Sequence, residues 1–254
     1  MSASAILLEN TKIQYDDRVI FDNISIDIPK NKVTVIMGPS GIGKSSLLRI
    51  LSNQHSIQQG DLYINSKNTK NLNSQEEQEL QLNIGFLFQH SALLLNLSVY
   101  ENIALPIRYH HKLPENIIEE IVDMKLHAVN LSDAKELHPH QLSGGMARRA
   151  ALARAIALDP PFLFCDEPFS GQDPINAKHI ADLIVKLNQQ LHATSVLISH
   201  EAHLCLPIAD HVILLNQNEI VTSGSPRQIC HKPSEFTKTF LGPEIIKFYG
   251  KSAS

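Results

Sequence analysis

The sequence predicts an α/β protein: a mostly parallel sheet, flanked by a small antiparallel β-subdomain and interrupted by an inserted helical subdomain. Three observations carry this. Four short apolar runs, Val33 to Met37, Ile84 to Phe88, Phe162 to Cys165 and Ser195 to Ser199, are bounded by polar or turn residues, as strands buried on both faces of a parallel sheet are. Helical patterns lie between them, so strand and helix alternate. Near the N-terminus, Ile24, Ile26 and Ile28 alternate with Ser25 and Asp27, the period of a half-buried antiparallel strand.

Taken in order, residues 1–32 and about 57–70 form the antiparallel β-subdomain. Val33 to Met37 is a buried strand leading through a glycine-rich loop into a helix over Ser45 to Leu51. After the Ile84 to Phe88 strand, no strand signal appears from about Ser91 to Leu158, while Pro114 to Leu126 and Leu142 to Leu158 read as helices, which sets the inserted helical subdomain at about 91–158. The clearest helix opens with Asp173 as N-cap and Pro174 in its first turn, and Ile180, Leu183, Ile184, Leu187 and Leu191 recur at helical spacing. Residues 233–254 form a last helix and a tail, broken at Phe240-Leu241-Gly242-Pro243. No linker, repeat or low-complexity tract divides the chain, so the pieces are expected to pack as one domain over 1–254.

Composition narrows the function. Hydrophobic residues make up 43% and charged residues 19% of 254, which supports a buried core and argues against disorder. Twenty-two Lys+Arg against 26 Asp+Glu leave a net charge of -4, with no basic run to attract nucleic acid, so none is expected as a partner. No apolar run approaches the roughly 18–20 residues that cross a bilayer, and the opening MSASAILLENTK lacks a charged n-region and a long h-region. Cys165, Cys205 and Cys230 form no CxxC, as in a reducing compartment, and the expected location is the cytoplasm.

Two segments carry chemistry. Gly38-Pro39-Ser40-Gly41-Ile42-Gly43-Lys44-Ser45, followed by Ser46, fits GxxxxGK[ST] between a strand and a helix. Glycines let backbone N–H groups turn toward phosphates at the positive end of a helix, Lys44 supplies a cation to the β/γ oxygens, and Ser45 a hydroxyl for Mg²⁺. Asp166-Glu167 follows the apolar run Phe162 to Cys165, at the strand end where open α/β sheets bind ligands. There Asp166 would hold Mg²⁺ through its water shell and Glu167 would polarise an attacking water. A metal reading of His138-Pro139-His140 and His200-Glu201-Ala202-His203 is weaker, because neither pair has a cysteine or carboxylate partner at metal-site spacing.

Leu142-Ser143-Gly144-Gly145-Met146, shortly before the Asp166-Glu167 strand, resembles the signature of the ATP-binding cassette (ABC) ATPases. The resemblance implies a P-loop (RecA-like) core and covers nearly the whole chain. It makes Tyr15 the aromatic that stacks on adenine, Gln89 the switch glutamine that also reaches the metal, Ser170 to Asp173 the loop after Glu167, and His200 the switch histidine at the γ-phosphate. Alone, Tyr15 reads as a strand aromatic on the core and Gln89 as a strand-end polar residue; their spacing from Lys44 and Glu167 favours the functional reading. It further implies a head-to-tail homodimer in which Ser143, Gly144 and Gly145 contact the partner's ATP in trans.

Met146 stands where the commonest signature has Gln, and Gly171-Gln172 replaces a small apolar pair before Asp173. With Leu142 to Leu158 and Asp166 to Ile175, these departures are similar to the ATPases of the Mla-type phospholipid-trafficking transporters. That resemblance implies an ATPase energising phospholipid transport through a separate permease, with an MCE-domain lipid-binding protein and a STAS-domain protein as further partners, and a place on the cytoplasmic face of the inner membrane. The ATPase of a small-solute importer, and a soluble ABC ATPase acting outside transport, are the alternatives. Leu93, Leu94, Leu95 and Leu97, beside Ser98, Tyr100 and Glu101, form either a docking groove for a membrane partner or the helical subdomain's own core. Phe236, Phe240, Leu241, Ile245, Ile246, Phe248 and Tyr249 either clasp a partner cassette or fold onto their own core.

Overall fold

The computed structural model describes residues 4–15 and 18–250, the side chains of Tyr15 and Arg18 excepted. In chain order the strands are β1 (Ser4–Tyr15), β2 (Arg18–Pro29), β3 (Val33–Met37), β4 (Gln59–Ile64), β5 (Lys67–Asn68), β6 (Ile84–Leu87), β7 (Phe162–Asp166), β8 (Thr194–Ser199), β9 (His211–Asn216) and β10 (Glu219–Gly224). The helices are α1 (Lys44–Leu51), α2 (Ser74–Leu82), α3 (Val99–His110), α4 (Glu115–Ala128), α5 (Gly144–Ala155), α6 (Pro174–Leu191), α7 (Ala202–Cys205), α8 (Pro226–His231), α9 (Glu235–Leu241) and α10 (Pro243–Tyr249). The chain divides into two compact units, Met1–Gln81 with Thr194–Ser254, and Leu82–Ala193.

In the first unit β1 pairs antiparallel with β2 and with β4, and β4 with β5. Ile6 stands opposite Ile28 and Leu8 opposite Ile26, and these four are buried with Ile13, Phe21 and Ile24. Ser25 and Asp27 are exposed, so the two-residue period is the one the sequence shows. β3 lies between β8 and β9, parallel to both, and β10 pairs antiparallel with β9. Every residue of β3 and β8 is buried, which is why neither alternates. The β9–β10 hairpin turns at Gln217 and Asn218, both left-handed (φ 44° and 70°), the two-residue geometry that matches strand twist. Its strands were not among those expected, although HVILL is an apolar run like the others; Gln217-Asn218 lacks the glycine that usually flags such a turn.

In the second unit β6 and β7 pair in parallel, from Ile84 with Phe162 to Leu87 with Cys165. The helix expected from Pro114 is α4, which Pro114 precedes as N-cap; the one expected over Leu142 to Leu158 is α5, shorter at both ends. An additional helix, α3, starts in a capping box: Ser98 Oγ accepts from Glu101 N at 3.2 Å, and Glu101 Oε2 from Ser98 N at 3.0 Å. Asp173 caps α6 as expected, accepting from Ile175 N and Asn176 N at 3.0 Å each.

At the C-terminus Gly242 (φ 83°) ends α9 and Pro243 opens α10, so the stretch read as a tail is helical as far as Tyr249. Leu241 is buried, the Phe236 and Phe240 rings stack 5.7 Å apart, and Phe248 is 76% exposed. Among the described residues no helix is long and apolar enough to cross a membrane.

Candidate functional site

Residues 38–43 join β3 to α1. A Cβ at Gly38 would fall 2.6 Å from the carbonyl oxygen of Leu215 in β9, so the loop can leave the strand here only without a side chain. Gly43, left-handed at φ 96°, is the N-cap of α1, and no N-cap side chain competes for the amides of the first turn. That is the form of an anion site at a helix N-terminus. Lys44 is 6% exposed, and its Nζ donates to the carbonyls of Gly38 and Pro39 at 2.9 Å each, which holds the ammonium within its own loop. Ser40 and Gly41 are exposed, while Ile42, Ser45 and Ser46 are half-buried. Met37 pairs with Ser199, so Gly38 and His200 leave neighbouring parallel strands at one sheet edge. Ser199 Oγ accepts from Glu201 N at 3.1 Å and shapes the turn that leaves His200 exposed.

The second unit repeats the geometry. Leu87 pairs with Cys165, so Gln89 and Glu167, two residues further on, stand at the carboxyl ends of adjacent parallel strands. Gln89 is exposed, Asp166 is 6% exposed, and Glu167 is half-buried with a left-handed backbone (φ 44°) that is uncommon for a residue with a side chain. Ser170 N donates to Glu167 O at 3.2 Å and closes the turn behind it.

Ser143 caps α5, its Oγ accepting from Met146 N at 3.2 Å. Ser143 and Gly144 are exposed at this helix start; Gly145 is buried, and a Cβ on it would meet Asn176 Cγ at 2.9 Å. A Cβ on Gly144 would lie 3.7 Å from Gln172 Nε2, so the Gln172 side chain stands beside the start of α5. Hydrogen bonds from the Asn176 backbone, foremost, and from its side chain hold the Asp173 carboxyl below the usual range.

Sequence reasoning missed the polar framework behind these residues. Arg148 of α5 is 4% exposed and donates to the carbonyls of Phe88 at 2.7 Å and Ser170 at 3.3 Å. Burial pushes its pKa down, an effect that Cys165 and Asp166 oppose, and burial pushes the Cys165 thiol up to about 12. Arg154 donates to the carbonyls of Ala92 at 2.8 Å and Ser91 at 3.3 Å. The fully buried Asn102 accepts from Leu94 N at 2.8 Å and donates to Leu94 O, Leu97 O and Ser98 O. No local pattern announces these bonds, because their partners are backbone groups, which carry no side-chain signal.

The Tyr15 side chain, expected at adenine, lies outside the described residues. The His138 and His140 rings stack 5.8 Å apart, and among the described residues no group of three or more His, Cys, Asp or Glu could hold a metal. Of the apolar run, Leu93 and Leu97 are half-buried, Leu94 is 40% exposed and Leu95 72%.

One unit thus offers a cationic glycine loop at a helix start, and the other a carboxylate pair at a strand end and a Ser-Gly-Gly helix start. A family model described as ABC transporter matches residues 21–170. The chain is 44% identical, over 98% of its length and 96% of the relative's, to the intermembrane phospholipid transport system ATP-binding protein MlaF of Haemophilus influenzae. It resembles the dimeric structure of MJ0796, a bacterial ABC transporter cassette, with TM-score 0.79 and 28% identity over 87% of this chain and 98% of that one. A dimeric post-hydrolysis state of the same ATP-binding cassette, bound to ADP and Pi, matches with TM-score 0.78 and 27% identity over the same shares. A family match across more than half the chain, on the segments that build the phosphate loop and the carboxylate pair, shows that the chain belongs to the ABC transporter ATPases.

Proposed function

We propose that this protein is the ATP-hydrolysing subunit that energises intermembrane phospholipid transport through a separate integral-membrane permease. The observation that carries the cargo assignment is the identity of 41–44% to phospholipid-transport ATPases, against 34–36% to methionine- and sulfate-import ATPases that match nearly as much of the chain. An ATPase does not touch the cargo, so ancestry is the only record of it in this chain.

In this reading Lys44, Ser45, Ser46 and the backbone N–H groups of the 38–43 loop, Pro39 excepted, bind the phosphates of ATP, and Tyr15 stacks on the base. Glu167 orients the attacking water, Gln89 senses the γ-phosphate, and His200 steadies it. Two cassettes close head to tail, so that Ser143, Gly144 and Gly145 of each reach the other's nucleotide. Positioning and charge stabilisation carry phosphoryl transfer with little covalent help from protein. In the same reading the Ser45 hydroxyl, the Gln89 amide oxygen and the nearly buried Asp166 carboxylate would each offer Mg²⁺ a hard oxygen of the kind it takes. Bound there, Mg²⁺ would neutralise phosphate charge.

The division into an antiparallel β-subdomain (1–32 and about 57–70), a helical subdomain (about 91–158) and a C-terminal element (233–254) belongs to the same reading. So do a STAS-domain and an MCE-domain partner, and a place on the cytoplasmic face of the inner membrane. Purifying the tagged chain from its native membranes in mild detergent, and identifying what accompanies it by mass spectrometry, tests the assignment. A permease, an MCE-domain protein and enriched phospholipid are expected; a permease with a solute-binding protein and no enriched lipid would overturn the cargo. In the same preparation Glu167→Gln should bind ATP and accumulate the closed dimer, whereas parental turnover would remove Glu167 from its role.

A further inference from the structure

Three parts of the hydrolytic apparatus come from distant stretches of sequence: Gln89 after β6, Glu167 after β7, and the start of α5. One side chain touches all three segments. Arg148 grows from α5, four residues after Gly144. Its Nη1 donates to the carbonyl of Phe88, the residue before Gln89, and its Nη2 to the carbonyl of Ser170. Ser170 in turn donates its amide to the carbonyl of Glu167, so the second bond reaches the turn that sets Glu167. Arg154, further along the helix, holds the carbonyls of Ser91 and Ala92, both left-handed, and so fixes the far side of the Gln89 segment.

We propose that Arg148 is a positioning residue for ATP hydrolysis, whose two guanidinium bonds fix Gln89 and the Glu167 turn against the signature helix. The inference rests on the roles given above to Gln89 and Glu167. Space filling does not account for this side chain. Arg148 is 4% exposed, its Nε is buried without a hydrogen-bond partner, and its charge is desolvated. A guanidinium in such a place is commonly no more stabilising than an apolar side chain of similar volume. What methionine cannot supply is a planar fork that reaches two carbonyls at once, and lysine supplies the charge without the fork.

The test uses the full-length chain in the detergent-solubilised assembly in which it is isolated, with steady-state ATP hydrolysis and thermal unfolding measured on Arg148→Met, Arg148→Lys and Glu167→Gln. Arg148→Met is expected to lower kcat by about 10- to 100-fold, since misplacement of reacting groups by an ångström costs that much. The KM for ATP should stay within about threefold, because the phosphate-binding loop is untouched. Its Tm should be unchanged or raised, and Arg148→Lys should recover part of kcat. Parental kcat in Arg148→Met beside an inactive Glu167→Gln would overturn the inference and leave the hydrolytic assignment standing. A fall in kcat matched by a lower Tm and a raised KM, equal in the Met and Lys variants, would reduce Arg148 to a structural residue and overturn it as well. Parental turnover in Glu167→Gln would instead remove the reading on which the inference stands.

Discussion

Asn102 offers the sharpest energetic test of the framework around the candidate site. It is fully buried in α3, and its amide serves a segment that leaves Leu95 72% exposed. Oδ1 accepts from Leu94 N at 2.8 Å, and Nδ2 donates to Ser98 O at 2.9 Å, Leu94 O at 3.1 Å and Leu97 O at 3.2 Å. Ser98 O also receives the backbone amide of Asn102 at 3.0 Å, and Leu94 O that of Leu97 at 3.2 Å, so Asn102→Ala strands two groups at most: the amide of Leu94 and the carbonyl of Leu97. At about 1 kcal/mol for each bond lost, and more for each group that water cannot reach, the cost is about 2–4 kcal/mol. For a chain of this size that corresponds to a Tm lower by roughly 5–15 °C. Asn102→Asp separates hydrogen bonding from shape. It keeps the acceptor for Leu94 N but aims a carboxylate oxygen at carbonyls, while the nearest cation, Arg154 at 3.5 Å from Oδ1, already serves the Ala92 and Ser91 carbonyls. Repulsion should win, leaving Asp no more stable than Ala at pH 7. Urea unfolding checks both variants, provided the slope m stays constant. A loss below about 1 kcal/mol in Asn102→Ala, or an Asp variant as stable as the parent, would refute the view that this amide shapes the segment.

Two further predictions concern the start of α5 and the β9–β10 hairpin. Gly145→Ala gains about 1 kcal/mol in helix propensity but brings a Cβ to 2.9 Å from Asn176, which is itself tied to Asp173 at 2.5 Å. Overpacking of about 1–3 kcal/mol should prevail, so urea unfolding should show net destabilisation, and a gain near the full propensity term would show that Asn176 moves aside freely. His211, bonded through Nε2 to Ser223 Oγ at 2.9 Å, has its pKa lowered by burial, with Asp27 pulling the other way. Between the lowered folded pKa and the ordinary unfolded one the unfolded chain binds more protons, so stability should fall as pH drops through that window and level off below it. Unfolding measured against pH should lose that slope in His211→Gln; an identical slope in both would clear His211.

What the sequence disclosed and what it concealed differ in range. The phosphate loop, the capped start of α6 and the buried strands β3, β7 and β8 are written in consecutive residues, because a strand buried on both faces or an N-cap is decided within a few positions. α2 escaped because none of its residues is buried, so it carries no apolar stripe. Arg148 and Arg154 escaped for a different reason. In an alanine-rich helix two arginines read as solvated charges, and their burial is decided by carbonyls of residues 60 and 63 positions away. The register pairing Leu87 with Cys165 is likewise invisible before folding, yet it is what brings Gln89 and Glu167 to one edge.

The chemistry of those long-range bonds sets which positions can vary. A bond to a backbone carbonyl is indifferent to the side chain at the acceptor residue and demanding at the donor. Ser170 presents to Arg148 only its carbonyl, and Ser91 and Ala92 present only theirs to Arg154. Substitutions at 91, 92 and 170 that keep the local backbone should therefore leave the framework intact, whereas no other residue type supplies Arg148's fork. Gly145 adds a contact of the opposite kind, in which closeness to Asn176 penalises any side chain. Within Leu82–Ala193, the start of α5, the Gln89 segment and the Glu167 turn are thus tied by one guanidinium and one missing methyl. A change that loosens either should disturb all three segments together.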